Sequence, residues 1–278
     1  MSKSIDLPDC YNYKPPITIT PCAPTPNHSL YLSNLDDLMY QRLYFNRIYI
    51  FKKSVEVDTL KSSLSRVLVD YYPLAGRLRT SSEDENKLVV DCNGEGVLFA
   101  EASMDITAEE LLIPCMTQHK SLKKLKCKGN TKKIKKLKLP KGFYGNAFVL
   151  VSAESTVKDL VNSNNLDHCI KCVQQAKSYL DDEEYIRSSI DLLKDKTLIV
   201  NESTNVFVSQ LNKLGIQDLD FGEGKPFHVD TFDIDFGVLL LPVIGDPNAV
   251  RVITPFPKNL VDKYHHCMTK IESWEQDE

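Results

Sequence analysis

The chain has 278 residues, 42% of them hydrophobic and 26% charged, with a formal net charge of −4. That length suits one large domain or two modest ones, and the composition excludes a wholly disordered or fibrous chain. The longest apolar stretches, such as residues 236–244, are too short to cross a bilayer, and the acidic balance gives the chain as a whole no pull on a polyanion.

Residues 1–28 are polar and rich in proline (Pro15, Pro16, Pro21, Pro24, Pro26). Proline fixes φ and removes a donor, so an extended arm or edge strand is expected. No positive start followed by an apolar core stands in residues 1–16, so no secretory signal is read there. The eight Cys are accordingly read as reduced thiols in the cytosol. Residues 30–35 read as a short strand or turn, and residues 47–51, rich in β-branched and aromatic side chains, as a strand. Val57, Leu60, Leu64, Val67 and Leu68 recur at helical spacing, with Asp58 or Thr59 as N-cap, and Tyr72-Pro73 ends that helix. Residues 87–92 and 97–100 flank Asn93-Gly94 and suggest a hairpin with a loop longer than two residues. Thr107 and Glu110 make a capping box for a short helix over 107–112.

Between His119 and Lys141 stand eleven Lys and no Asp or Glu, which leaves 23 basic against 38 acidic residues elsewhere. Beyond this run, residues 146–152 read as a buried strand. Ser155 or Thr156 caps a helical region to about Leu180. A second helix over 183–193 carries Ile186, Ile190 and Leu193 on one face. Strands are expected at 198–200, 206–209, 238–243 and 250–253, and a closing amphipathic helix at 259–271. The order is mixed α/β in two blocks, 1–115 and 142–278, around a lysine-rich junction at 116–141.

Several apparent motifs carry little. Asp220-Phe221-Gly222 and Asp235-Phe236-Gly237 lack every other kinase string. Gly94-x-Gly96 is a lone pair in a turn, and no glycine spacing gives a nucleophile elbow or a phosphate loop. Cys169-x-x-Cys172 beside His168 has metal-like spacing but needs a second Cys/His pair for tetrahedral zinc. His265-His266-Cys267 lies on another expected helix, so partly buried thiols and no metal site are expected. The lysine run has no Arg and no aromatic before Phe143, so base stacking and bidentate base reading are absent and no nucleic-acid partner is expected.

Five strings, in order, carry a resemblance. They are Ser33-Asn34-Leu35-Asp36, Tyr71-Tyr72-Pro73-Leu74-Ala75-Gly76-Arg77-Leu78, Cys92-Asn93-Gly94-Glu95-Gly96, Gly142-Phe143-Tyr144-Gly145-Asn146-Ala147 and Asp220-Phe221-Gly222-Glu223-Gly224-Lys225-Pro226. Together they resemble the plant BAHD acyl-CoA-dependent acyltransferases, over nearly the whole chain. Within that family the strings are most similar to the branch that moves hydroxycinnamoyl or related groups to long-chain alcohols or hydroxy fatty acids. The resemblance implies a chloramphenicol-acetyltransferase-like two-domain fold and a tunnel between domains entered by acyl-CoA and acceptor from opposite faces. It also implies a cytoplasmic enzyme, monomeric if folded, with acyl-CoA as co-substrate and no bound cofactor. In the family, the His of a His-x-x-x-Asp motif takes the acceptor's proton, a task suited to a side chain that titrates near working pH.

This sequence lacks that motif: four residues after His28, His119, His168, His228, His265 and His266 stand Leu32, Lys123, Cys172, Phe232, Thr269 and Lys270. The motif would fall between Leu112 and Gly142, so an internal segment of the first domain is missing and that domain is expected to be incomplete, with exposed strand edges. Two readings stand. The chain is a shortened, non-catalytic remnant that at most binds acyl-CoA or a partner, or it has acquired a substitute base. His228, with Asp230 on the same side of a strand, is the candidate base, against a surface histidine near a turn. By resemblance Ser209, Gln210 and Lys213 are substrate-contact candidates. Asp220, Gly222 and Gly224 form a structural turn, with Glu223 where many relatives have Trp. Lys132 takes the place of an Arg that pairs with that Asp, and it lacks the planar fork for bidentate contact.

Overall fold

The computed structural model describes residues 7–8, 14–37, 46–117, 145–146, 149, 151–161, 166–195, 206–232 and 237–271. Ten strands and six α-helices are described, which is the mixed α/β class expected. The lysine run with Lys132, and the strand expected at 198–200, lie outside the described residues.

In the first half, β2 (Ser29–Tyr31), β5 (Leu88–Asp91) and β4 (Arg77–Thr80) form an antiparallel sheet in the order β2-β5-β4. β1 (Ile17–Ile19) pairs with β6 (Val97–Phe99). The hairpin expected around Asn93-Gly94 does not form. β5 finds its partners in β2 and β4, β6 turns away to β1, and positive φ at Gly94 and Gly96 makes the redirection. A Cβ on Gly96 would stand 2.2 Å from the Ile19 carbonyl oxygen, so close approach of β1 demands glycine there.

The first helix, α1 (Val57–Asp70), has the expected span, but its N-cap is Glu56 without a side-chain cap bond, and Asp58 lies in the first turn. Leu68 is buried whereas Val67 is half exposed, because the inward stripe runs through 57, 60, 64 and 68 and leaves 67 at its rim. A 3-10 turn, Tyr72–Ala75, follows. α2 (Ala108–Thr117) begins at the expected capping box. The Glu110 carboxylate accepts from the Thr107 amide and hydroxyl, and the Glu110 amide donates back to Thr107 Oγ1. Those donors hold the Glu110 carboxyl below its ordinary range.

In the second half, residues 147, 148 and 150 of the strand expected at 146–152 lie outside the described residues, and residues 146, 149, 151 and 152 are in no strand. The helical region divides into α3 (Val157–Val161) and α4 (Leu166–Ser178), followed by a 3-10 turn and α5 (Glu183–Leu192). Thr156 caps α3 through Asp159 N, and Asp182 caps α5 through Glu184 N. The last sheet has the order β10-β9-β7, with β7 (Val208–Gln210) parallel to β9 (Val238–Val243) and β10 (Asp246–Ile253) antiparallel to it. Pro247 is accommodated because β10 is an edge strand whose register shifts between Asp246 and Val250. α6 (Val261–Ile271) closes the described chain.

The two halves share one ribbon. β3 (Asn46–Ile50) pairs antiparallel with β8 (His228–Phe232), Ile48 opposite Asp230 and Ile50 opposite His228. Ile48 and Ile50 form a core with Leu7, packed by Met104, Ile106, Ala108, Leu111, Leu112 and Phe227. A second core of Leu211, Leu239, Leu241 and Ile253 lies in the C-terminal sheet.

Candidate active site

The polar centre of the shared ribbon holds the candidate base. Strand alternation puts His228 and Asp230 on one side of β8, and His228 Nε2 lies 3.1 Å from Asp230 Oδ2. His228 is 6% exposed and Asp230 0%, which corrects the expectation of a surface histidine: β3 covers the strand on one edge and Arg251 of β10 crosses its ring. Arg251 Nη1 is 3.3 Å from both ring nitrogens and 3.9 Å from Asp230 Oδ2, and its Nη2 donates to the Val229 carbonyl. Asp230 Oδ1 accepts from the Thr231 amide, and Thr231 Oγ1 donates to the Asn46 carbonyl. A carboxylate-oriented imidazole has the parts of a general base. Here, however, both ring nitrogens face protein groups and the ring is closed from solvent. The sequence reading missed Arg251, whose signal is a lone guanidinium in the apolar run Val250-Arg251-Val252.

Of the substrate-contact candidates, Ser209 is half-buried on β7, while Gln210 and Lys213 are exposed. β7, which carries Ser209 and Gln210, belongs to the sheet of β9, separate from the β3–β8 ribbon, and Lys213 lies in the turn after it. Asp220 accepts from the Gly222 amide at 2.7 Å and the Gly224 amide at 3.0 Å, both glycines having positive φ. The carboxylate thus holds its own glycine turn closed. The Asp220–Lys132 contact lies outside the described residues.

The first matched string ties distant parts together. The Asn146 amide donates to Asp36 Oδ1 at 2.7 Å, and Asn34 Nδ2 donates to the Ile190 carbonyl on α5. Asp37, 1% exposed, accepts from the Leu88 amide and lies 3.9 Å from Lys87 Nζ. Among the described residues no group of three or more His, Cys, Asp or Glu is placed to hold a metal, and no helix is long and apolar enough to cross a membrane.

The model of the "Transferase family" matches residues 15–136 and 115–271. Alcohol acyl transferase 1 (allele GSa) of Malus domestica is 46% identical over 111 residues, covering 36% of this chain and 24% of that protein. Benzyl alcohol O-benzoyltransferase of Petunia hybrida is 41% identical over 101 residues, covering 34% of this chain and 22% of that protein. Each match thus spans about a quarter of the relative's length. The crystal structure of vinorine synthase superposes with a TM-score of 0.47 at 18% identity, covering 89% of this chain and 95% of that one. With the family model matched across both halves of the sequence, the chain belongs to the Transferase family, the BAHD acyltransferases.

Proposed function

We propose that the chain is a member of the acyl-CoA-dependent O-acyltransferases whose reaction joins the acyl group of a CoA thioester to an alcohol. The acceptor oxygen attacks the thioester carbonyl, the carbon–sulfur bond breaks, and the hydroxyl proton ends on the CoA thiol. The observation that carries this reading is the family match over residues 15–136 and 115–271. The printed names of the relatives, alcohol acyl transferase and benzyl alcohol O-benzoyltransferase, support an alcohol as acceptor. A hydroxycinnamoyl-type donor and a long-chain alcohol or hydroxy fatty acid remain the finer expectation from the sequence strings. The reading includes a partial domain at 1–115, a junction at 116–141 and a second domain at 142–278. It also includes Ser209, Gln210 and Lys213 as substrate contacts, a cytoplasmic monomer, and no prosthetic group.

A second reading, a chain that binds acyl-CoA without turning it over, is favoured by one observation. The family's His-x-x-x-Asp motif is absent, and His228, the candidate substitute, is held between Asp230 and Arg251 away from solvent. The test is to mix purified full chain with benzoyl-CoA or a hydroxycinnamoyl-CoA and benzyl or a long-chain alcohol. Free CoA thiol is followed and ester is identified by mass. Ester that vanishes in His228→Ala makes His228 the base, and ester that persists assigns another. Saturable acyl-CoA binding with no ester selects the second reading. Neither binding nor ester sinks both.

A further inference from the structure

The first two turns of α4 carry a second chemistry. Cys169 and Cys172 are its fourth and seventh residues, so they share one face. Helix geometry sets their Cα atoms about 5 Å apart, inside the roughly 4.4–6.8 Å window of a disulfide. Both thiols are half-buried and neither is bonded. His168, beside Cys169 in sequence, folds its ring back along the helix, and its Nε2 stands 3.5 Å from Cys172 Sγ, within hydrogen-bond reach for sulfur. The same Nε2 lies 2.9 Å from Ser155 Oγ, in the loop before α3, so hydroxyl and thiol share that one ring nitrogen. A nucleophile and a base in contact with it are the parts of an activated thiol. Cys169 lines a shallow groove with Ile170, Val173, Gln174 and Lys177, which opens the resolving thiol to a small solute, and Cys172 is itself half-buried rather than enclosed. These side chains do not converge as a metal cage.

We propose that Cys172 and Cys169 form a peroxide-reactive dithiol, with Cys172 as attacking sulfur, His168 as its base and Cys169 as resolving thiol. This inference does not rest on the acyl-transfer reading. His168 takes the Cys172 proton, and the thiolate attacks one oxygen of hydrogen peroxide. The oxygen–oxygen bond breaks, and the leaving hydroxide takes the proton back from His168 and departs as water, leaving a sulfenic acid on Cys172. Cys169 sulfur then attacks Cys172 sulfur. The sulfur–oxygen bond breaks, and hydroxide leaves with the Cys169 proton as a second water. Two thiols lose two electrons, and one peroxide becomes two waters. The helix must tighten locally to close the bond, which would span the second turn of α4.

The test uses the unmodified full chain, with Cys22 and Cys267, both exposed, as internal references. Limiting iodoacetamide at neutral pH, read by peptide mass, should label Cys172 about fivefold or more faster than either reference despite its lower exposure, as an activated thiolate requires. One equivalent of hydrogen peroxide should give a 169–172 disulfide, two mass units lighter. In Cys169→Ser, dimedone should trap the sulfenic acid on Cys172. His168→Gln should bring Cys172 alkylation down to the reference rate while the helical circular dichroism stays unchanged. Labelling of Cys172 no faster than Cys22 or Cys267 would overturn the proposal. So would peroxide oxidation spread evenly over the thiols, or stoichiometric zinc shielding both cysteines.

Discussion

Two antiparallel ribbons, each two strands wide, join distant parts of this chain, and they are held by opposite means. In β3–β8 three of the five β3 residues and residues 228–231 of β8 are buried: Val229 and Asp230 are 0% exposed and Thr231 is 1%. In β1–β6 no side chain is fully buried: Leu98 is 76% exposed and Ile17 45%, and Ile19, Val97 and Phe99 are half-buried. A lone two-stranded ribbon is marginal in water. The first is stabilised by the apolar core around Ile48 and Ile50 and by the His228–Asp230–Arg251 cluster. The second is tethered to α1 by polar contacts at its rim. Ser65 Oγ donates to the Thr20 carbonyl, the Cys22 amide donates to the Ser65 carbonyl, and Lys61 and Lys14 both reach Glu101. Ladder bonds alone therefore say little about strength; what lies on the faces decides it.

The comparison predicts its own largest effect. Ile50→Ala should cost about 4 kcal/mol, toward the upper part of the range for such truncations, because the side chain fills a core to which both halves contribute. Urea unfolding monitored in each half should then show one shared transition moving to lower denaturant. A shift confined to one half would break the claim that the ribbon couples them. Arg251→Met should follow at about 3 kcal/mol, since it removes the donor to the Val229 carbonyl and the cation facing the buried Asp230. If Arg251→Met is neutral, the polar cluster contributes nothing and the apolar core alone holds β3–β8.

Much of this was legible in the sequence, for reasons that differ by place. Period-3.6 and period-2 patterns located α1, α5, β3 and β9 within a residue or two, because each buries one face or one stripe. The Thr107–Glu110 box marked the start of α2, because its signal is local. Partner choice was not legible. Asn93-Gly94 is a hairpin signal, yet β5 and β6 diverge, because β2 and β1 compete for them from sixty or more residues away. The partnership of β3 with β8 spans about 180 residues, and no local pattern encodes it. At the candidate site, alternation put His228 beside Asp230, but the burial of both and the role of Arg251 depend on β10, a non-local neighbour.

The third test probes β1–β6. Gly96 has φ +88°, and an added Cβ would meet the Ile19 backbone. Gly96→Ala should cost about 2 kcal/mol from strain and the forced shift of β1. The loss should appear first as faster hydrogen exchange at Ile17 and Ile19, with β3–β8 amides unchanged at native-state conditions. Loss of protection in both ribbons together would erase the distinction between them.

The smallest effect is electrostatic and has a defined sign. Hydrogen bonds from Lys61, then Lys14, hold the Glu101 carboxyl below its ordinary range, and the hydrogen bond to Glu101 raises Lys61 above its own. A carboxyl lowered on folding contributes stability that is complete above its unfolded value, near about 4.3, and is lost as pH falls through the folded value. A raised lysine contributes fully below its unfolded value, near about 10.4, and loses that contribution as pH rises through the folded one. The tether of β1–β6 to α1 is therefore complete between these limits and weakens on both sides. Glu101→Gln should speed exchange at the β1–β6 amides at pH 7, and the gap from wild type should narrow as pH falls below the ordinary carboxylate range and in high salt, because the pair is partly exposed and screened. A gap that is the same at every pH and salt concentration would mean that packing of Phe99 under Lys61, with ring centroid and Nζ 5.5 Å apart, holds the ribbon instead of charge.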